Sequence, residues 1–252
     1  KFMKNLLIIT LAFLAFLSYA ESEYEFEPVS NKAEYYSGKF NKGKDMQDLL
    51  LWAEKFVKWS EQNDFRKSTL TAIFTPYFHD QLDEQDFVWL NIIPNSTEQY
   101  SSLGYWIKNG GKLFATLPAT NSRVIDVIQW PVSVPEGEFS DLGIVRFSRC
   151  KLEEGVNLRQ AFDAYKRFAI KARSTGDNMG RKILFSPTGA GDQDYDYVYL
   201  LHANSWDDFG MGYDNYGENL VNTPEAQALN SIANCSNART YSTNTVKRPG
   251  GF

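Results

Sequence analysis

Asp86-Phe87-Val88-Trp89-Leu90 is met a second time, in altered form, as Asp196-Tyr197-Val198-Tyr199-Leu200. Working outward from that pair, further matches fall in the same order. Upstream, Lys39-Phe40-Asn41-Lys42-Gly43-Lys44-Asp45-Met46 lines up with Lys151-Leu152-Glu153-Glu154-Gly155-Val156-Asn157-Leu158, and the same register carries Phe56 onto Phe168. Downstream, Asn95-Ser96 matches Asn204-Ser205, Gly104-Tyr105 matches Gly212-Tyr213, and Asn121-Ser122-Arg123 matches Asn237-Ala238-Arg239. The offset drifts only by small insertions. Self-similarity of this kind signals a repeated supersecondary unit.

Each copy predicts the same elements. The first opens with a strand over 33–40. A helix follows from Asp45, a good N-cap, with Leu49, Leu50, Ala53, Phe56 and Val57 on one face. β-rich runs at 69–77 and 87–93 flank a polar, acidic loop. A second helix starts at Asn95 or Ser96 and is stopped by Gly110-Gly111, and a strand at 123–130 closes the unit. The second copy predicts a strand at 142–152, a helix over 157–174, strands at 182–185 and 195–203, a helical region at 205–234 broken near Pro224, and a strand at 237–246. Between the copies, 131–141 has the proline and glycine content of a linker.

The first 20 residues stand apart. Lys1 and Lys4 precede the apolar run Leu6–Leu17, and Ser18-Tyr19-Ala20 offers small residues for signal cleavage. That run falls short of the about 20 residues of a membrane span. Met3 reads as the initiator, with cleavage expected after Ala20. The expected organisation is therefore a signal peptide (1–20), a short lead (21–32), repeat 1 (33–130), a linker (131–141), repeat 2 (142–246) and a tail (247–252). A periplasmic or secreted protein follows, with no membrane partner after cleavage.

Two β-α-β-β-α-β units in one chain make an α+β protein that resembles the ferredoxin-like fold, and within it the dimeric α/β-barrel superfamily. The resemblance covers about 33–246 and rests on element order and duplication. It implies two sheets closed into a pseudo-dimeric α/β barrel with helices outside. It also implies small-molecule chemistry without a cofactor, of the oxygenase or isomerase kind. In such a unit the first and fourth strands are antiparallel neighbours. That topology brings Cys150, late in one, beside Cys235, just before the other. With export expected, a structural disulfide follows.

Other features exclude more than they assign. A net charge of −5 without a basic stripe argues against nucleic acid as a partner. His79 and His202 lack ligand-spaced partners, and the alternating carboxylates Asp192, Asp194 and Asp196 lack the rest of a calcium loop, so no metal site is expected. Aromatics reach 15% of the chain, enough to line an apolar pocket or simply fill a core.

Strand alternation supplies site candidates. Phe87 and Trp89 share one face of their strand and Tyr197 and Tyr199 one face of theirs; this aromatic face is expected inside the barrel, with Trp89 and Tyr199 as two walls of one cavity. The aliphatic faces are expected to meet the helices. Arg146, alternating with Val145 and Phe147, is a further ligand-binding candidate, and His202 and Asp126 are acid–base candidates. Two functions fit. One is a barrel that holds a small apolar or aromatic molecule; the other is a non-catalytic envelope module with a packed barrel.

Overall fold

The computed structural model describes residues 24–249; the expected signal segment lies outside them. Eight strands form one closed antiparallel barrel, with six α-helices and a π-helical turn outside. In chain order these are β1 (Asn31–Phe40), α1 (Met46–Gln62), β2 (Leu70–Pro76), β3 (Phe87–Ile93), α2 (Ser96–Asn109), α3 (Gly111–Phe114), β4 (Ala119–Ser133), β5 (Leu142–Leu152), α4 (Leu158–Arg173), β6 (Gly180–Thr188), β7 (Tyr197–Ala203), α5 (Trp206–Asn215), the π turn (Tyr216–Leu220), α6 (Pro224–Asn230) and β8 (Ala233–Lys247). Around the barrel the order is β1-β3-β2-β8-β5-β7-β6-β4, closing on β1. Each half contributes its strands in the order fourth, first, third, second, and the β2–β8 and β4–β6 ladders join the halves.

The residues matched between the halves do the same local work in both. Asp45 and Asn157 each cap a helix through a reciprocal capping box. Gly43 and Gly155 turn the chain just before those caps at φ of 75° and 80°. Asp86 and Asp196 each pin a neighbouring strand end, their carboxylates accepting from the Phe40 and Leu152 amides at 2.7 Å. Asn95 caps α2 and Ser205 caps α5.

Three expectations need correcting. Gly110-Gly111 does end α2, but Gly111 opens the short α3. The linker begins later than its composition suggests, because β4 continues through Pro131 to Ser133. Proline is tolerated there because β1 runs out at Gln129, leaving Pro131 with β6 alone as its partner.

The largest correction concerns the strand faces. The barrel interior holds Ala33, Ala72, Val88, Leu90, Val127, Val145, Leu184 and Leu200, together with the rings of Tyr35, Phe74 and Tyr241. Phe87 and Trp89 instead lie outside it, against Leu49, Trp52 and Phe56 of α1. Tyr197 packs with Phe162 and Tyr165 of α4, and Tyr199 borders that cluster. An eight-stranded barrel is just wide enough to be filled by side chains or to hold one small ligand.

Cys150 and Cys235 are register partners on β5 and β8, 4.0 Å apart at Cα, and form a disulfide. No helix among the described residues is long and apolar enough to cross a membrane.

Candidate functional site

Inward-facing positions recur every second residue. Towards one end of the barrel they carry Tyr35 on β1, Phe74 on β2, Ile125 and Arg123 on β4, Phe147 and Arg149 on β5, and Tyr241 and Arg239 on β8. Four of these make a floor of rings. Phe147 meets Tyr241 at 5.6 Å and Tyr35 at 5.9 Å between centroids, both edge-on, and Phe74 touches Phe147 and Tyr241 at 6.1 and 6.2 Å. Above this floor lies a cavity of about 660 Å³. That volume is within the usual range of small-molecule sites.

Two loops border the opening. Residues 77–86 are tied down where the Tyr241 hydroxyl meets His79 Nε2 at 3.1 Å and accepts from Gln85 at 3.0 Å. Burial, followed by the charge of Arg239, lowers the His79 pKa, so this ring stays neutral near pH 7. The other loop, 189–196, turns at Gly189, where φ is 86° and any Cβ would run into the Val124 carbonyl. This loop contributes Tyr195, whose phenol is pushed up by burial and pulled back chiefly by Arg149. Arg149 stands 5.3 Å over the Tyr195 ring.

The opposite end is smaller and chemically different. A cavity of about 230 Å³ there is lined by apolar strand residues with Gln129, Lys182 and His202. Lys182 donates to Gln129 Oε1 at 3.2 Å, and Gln129 donates to the Tyr35 hydroxyl at 2.9 Å. Burial lowers Lys182 to about 8. Burial, then the charges of Lys182 and Arg181, lowers His202 to about 3. Tyr35 and Phe74 line both cavities and form the partition between them.

The structure separates the residues that sequence reasoning grouped. Phe87 and Trp89 border a space of only about 80 Å³ beneath α1 and α2. Tyr199 and Arg146 line a crevice of about 720 Å³ outside the second half, where Arg146 donates to the Tyr213 hydroxyl at 2.6 Å. Trp89 and Tyr199 therefore do not wall one cavity. Tyr197 is fully buried against α4, although it reaches the edge of the large mouth. Asp126 lies on the outer face, paired with Lys32 at 2.8 Å and bonded by Gln99 at 3.0 Å. His202 stands at the far end as a neutral imidazole whose Nε2 has no hydrogen-bond partner among the described residues. No cluster of metal-ligand side chains occurs among the described residues.

The mouth itself was missed. One signal for it was present: the matched triplets end in Arg123 and Arg239, both of which face the cavity. Arg149 follows Val145 and Phe147 on the same strand face, and Tyr241 follows Arg239.

No protein-family model matches the chain, and a search of curated proteins finds no match. Solved structures share its fold. A candidate chlorite dismutase superposes with a TM-score of 0.50 at 11% identity, covering 88% of this chain and 96% of the other. A double variant of the chlorite dismutase of Candidatus Nitrospira defluvii gives 0.50 at 9% identity, covering 89% and 95%. A protein of Thermus thermophilus described as heme-binding gives 0.49 at 9% identity, covering 88% and 95%. At these identities the likeness shows the barrel fold alone.

Proposed function

We propose that this chain is an exported barrel protein that holds a small, largely aromatic molecule in its wider mouth. The observation that carries this reading is the cavity of about 660 Å³ over the rings of Tyr35, Phe74, Phe147 and Tyr241. Flat apolar walls of this kind favour a flat apolar guest. The alternative of a fully packed barrel accounts for the waist, where Leu90, Val127, Val145 and Leu200 fill the interior. It does not account for the open end.

Fold likeness alone does not bring the neighbours' chemistry to this chain, since one fold hosts many activities. One neighbour is described as heme-binding, and the outer crevice of the second half has the volume for such a group. Its residues do not fit a haem held by histidine or thiolate. No histidine lines it, and its one cysteine, Cys235, is in the disulfide. Tyr165 and Tyr199, which also line it, are both pushed up by burial and so are poor sources of a tyrosinate ligand.

Export after cleavage at Ala20, to the periplasm or beyond, agrees with a disulfide, which persists in oxidising compartments. Descent of the two halves from one duplicated unit agrees with the shared strand order and the shared caps and turns.

The test is titration of the mature protein with N-phenyl-1-naphthylamine, a neutral probe whose emission rises on burial. Saturable one-to-one binding is expected. Ile125→Trp, which fills the mouth, should abolish it, whereas Ala238→Trp, placed in the outer crevice, should leave it unchanged. Binding lost in Ala238→Trp and retained in Ile125→Trp would refute the mouth as the site.

A further inference from the structure

Three arginines face the mouth from three different strands: Arg123 on β4, Arg149 on β5 and Arg239 on β8. Local irregularities in the ladders accompany them. The β1–β4 register shifts beside Arg123, between Ser37 and Gly38, and the β5–β8 register shifts between Phe147 and Arg149. Asn237, at a φ of 50°, accepts from Arg239 Nε at 3.2 Å and fixes that side chain.

These guanidinium groups are poorly satisfied. Each offers five donors and accepts nothing. The Arg123 side chain has no hydrogen bond or ion pair among the described residues. The partner of Arg149 is the Tyr195 ring. Arg239 reaches one carboxylate, Asp80, at 3.5 Å. All three charges act on the Tyr195 phenol, so they converge on one region of the opening.

Carboxylates also border the mouth, but from its loops: Glu84, Asp192, Asp194 and Asp196. Asp196 is engaged by the Leu152 amide, and none of the four lies within 4.0 Å of an arginine charge. Their presence sets an upper limit on the charge of a guest. A polyanion or a phosphate monoester would meet repulsion from the loops, whereas a single negative charge held inside the arginine ring would not. A planar carboxylate also matches the fork of a guanidinium, which binds it through two parallel bonds.

We propose that the guest is an aromatic carboxylate. Its ring lies inward on Phe147 and Tyr241, and its carboxylate lies outward among Arg123, Arg149 and Arg239. This rests on the reading of the mouth as a binding site for a small aromatic molecule and adds the charge and the orientation.

The experiment compares 1-naphthoate with its neutral isostere 1-naphthamide by calorimetric titration of the mature protein at low salt. Naphthoate is expected to bind at least about tenfold more tightly, the effect of charge-assisted hydrogen bonds. Arg123→Met and Arg149→Met should each weaken naphthoate about tenfold and weaken naphthamide, whose carbonyl keeps only a neutral hydrogen bond to lose, by a smaller factor. The naphthamide measurement shows in the same protein that the mouth is intact, and Arg149→Lys gives a second, milder variant. Equal binding of both compounds, unaltered by the arginine substitutions, would overturn the anionic guest and leave the aromatic site standing. Failure of both compounds to bind would overturn the site and this proposal together.

Discussion

The two ends of the barrel are built from the same eight strands, yet they handle charge in opposite ways. At the wide mouth, three arginines stand at the solvent edge above a floor of rings, with few partners. At the narrow end, Lys182 is drawn into an apolar setting with Gln129 as its acceptor, beside a neutral His202. Arg123 is exposed and Arg149 and Arg239 are half-buried, so all three can keep part of their hydration. A desolvated amine cannot, and its proton affinity falls instead. Both ends are cationic and both line cavities, but only the wide mouth keeps its charges at the solvent edge.

The largest expected effect comes from unfastening the wide end. The Cys150–Cys235 bond joins β5 to β8, the strands that carry Arg149 and Arg239. Replacing both cysteines by alanine should cost about 2–4 kcal/mol in urea unfolding. Aromatic binding should weaken with it, because the paired strands carry half of the ring floor. Unchanged stability would mean that the ladder alone holds this wall.

The next effect sharpens the contrast at the narrow end. Lys182 is lowered in the folded protein from 10.5 to about 8. Between those values the unfolded chain binds the proton more tightly than the native one, so stability rises with pH through that window. The rise from this group should be about 3 kcal/mol, read as the difference between the native protein and Lys182→Met. His202 acts on the acid side, lowered from 6.5 to about 3. As pH falls below 6.5 the unfolded chain takes up the proton first, so stability declines toward pH 3, and His202→Leu should flatten that decline. Parallel pH profiles for native protein and both variants would contradict the burial of these two groups.

Much of the fold was legible because its signals are local. Strand β3 was read with both bounds correct, and the cap Asp45 announced its helix. The resemblance to the ferredoxin-like unit implied the pairing of β5 with β8, and so the disulfide, both of which the structure shows. What failed was non-local. Alternation along Phe87–Leu90 shows two faces but does not say which one closes inward. That depends on the β2–β8 and β4–β6 ladders, which join residues far apart in the chain. Once the ladders close, the narrow interior takes Val88 and Leu90, and Trp89 goes beneath the helices. The site was hidden for the same reason. Arg123, Arg149 and Arg239 lie on three strands and meet only at the rim of the closed barrel.

The most direct measurement is a crystal structure of the mature protein grown with 1-naphthoate. The expected result is density for one molecule in the wide mouth, with its ring against Phe147 and Tyr241 and its carboxylate between Arg123, Arg149 and Arg239. Density in the outer crevice beside Arg146 and Tyr199, with the mouth holding solvent, would contradict it.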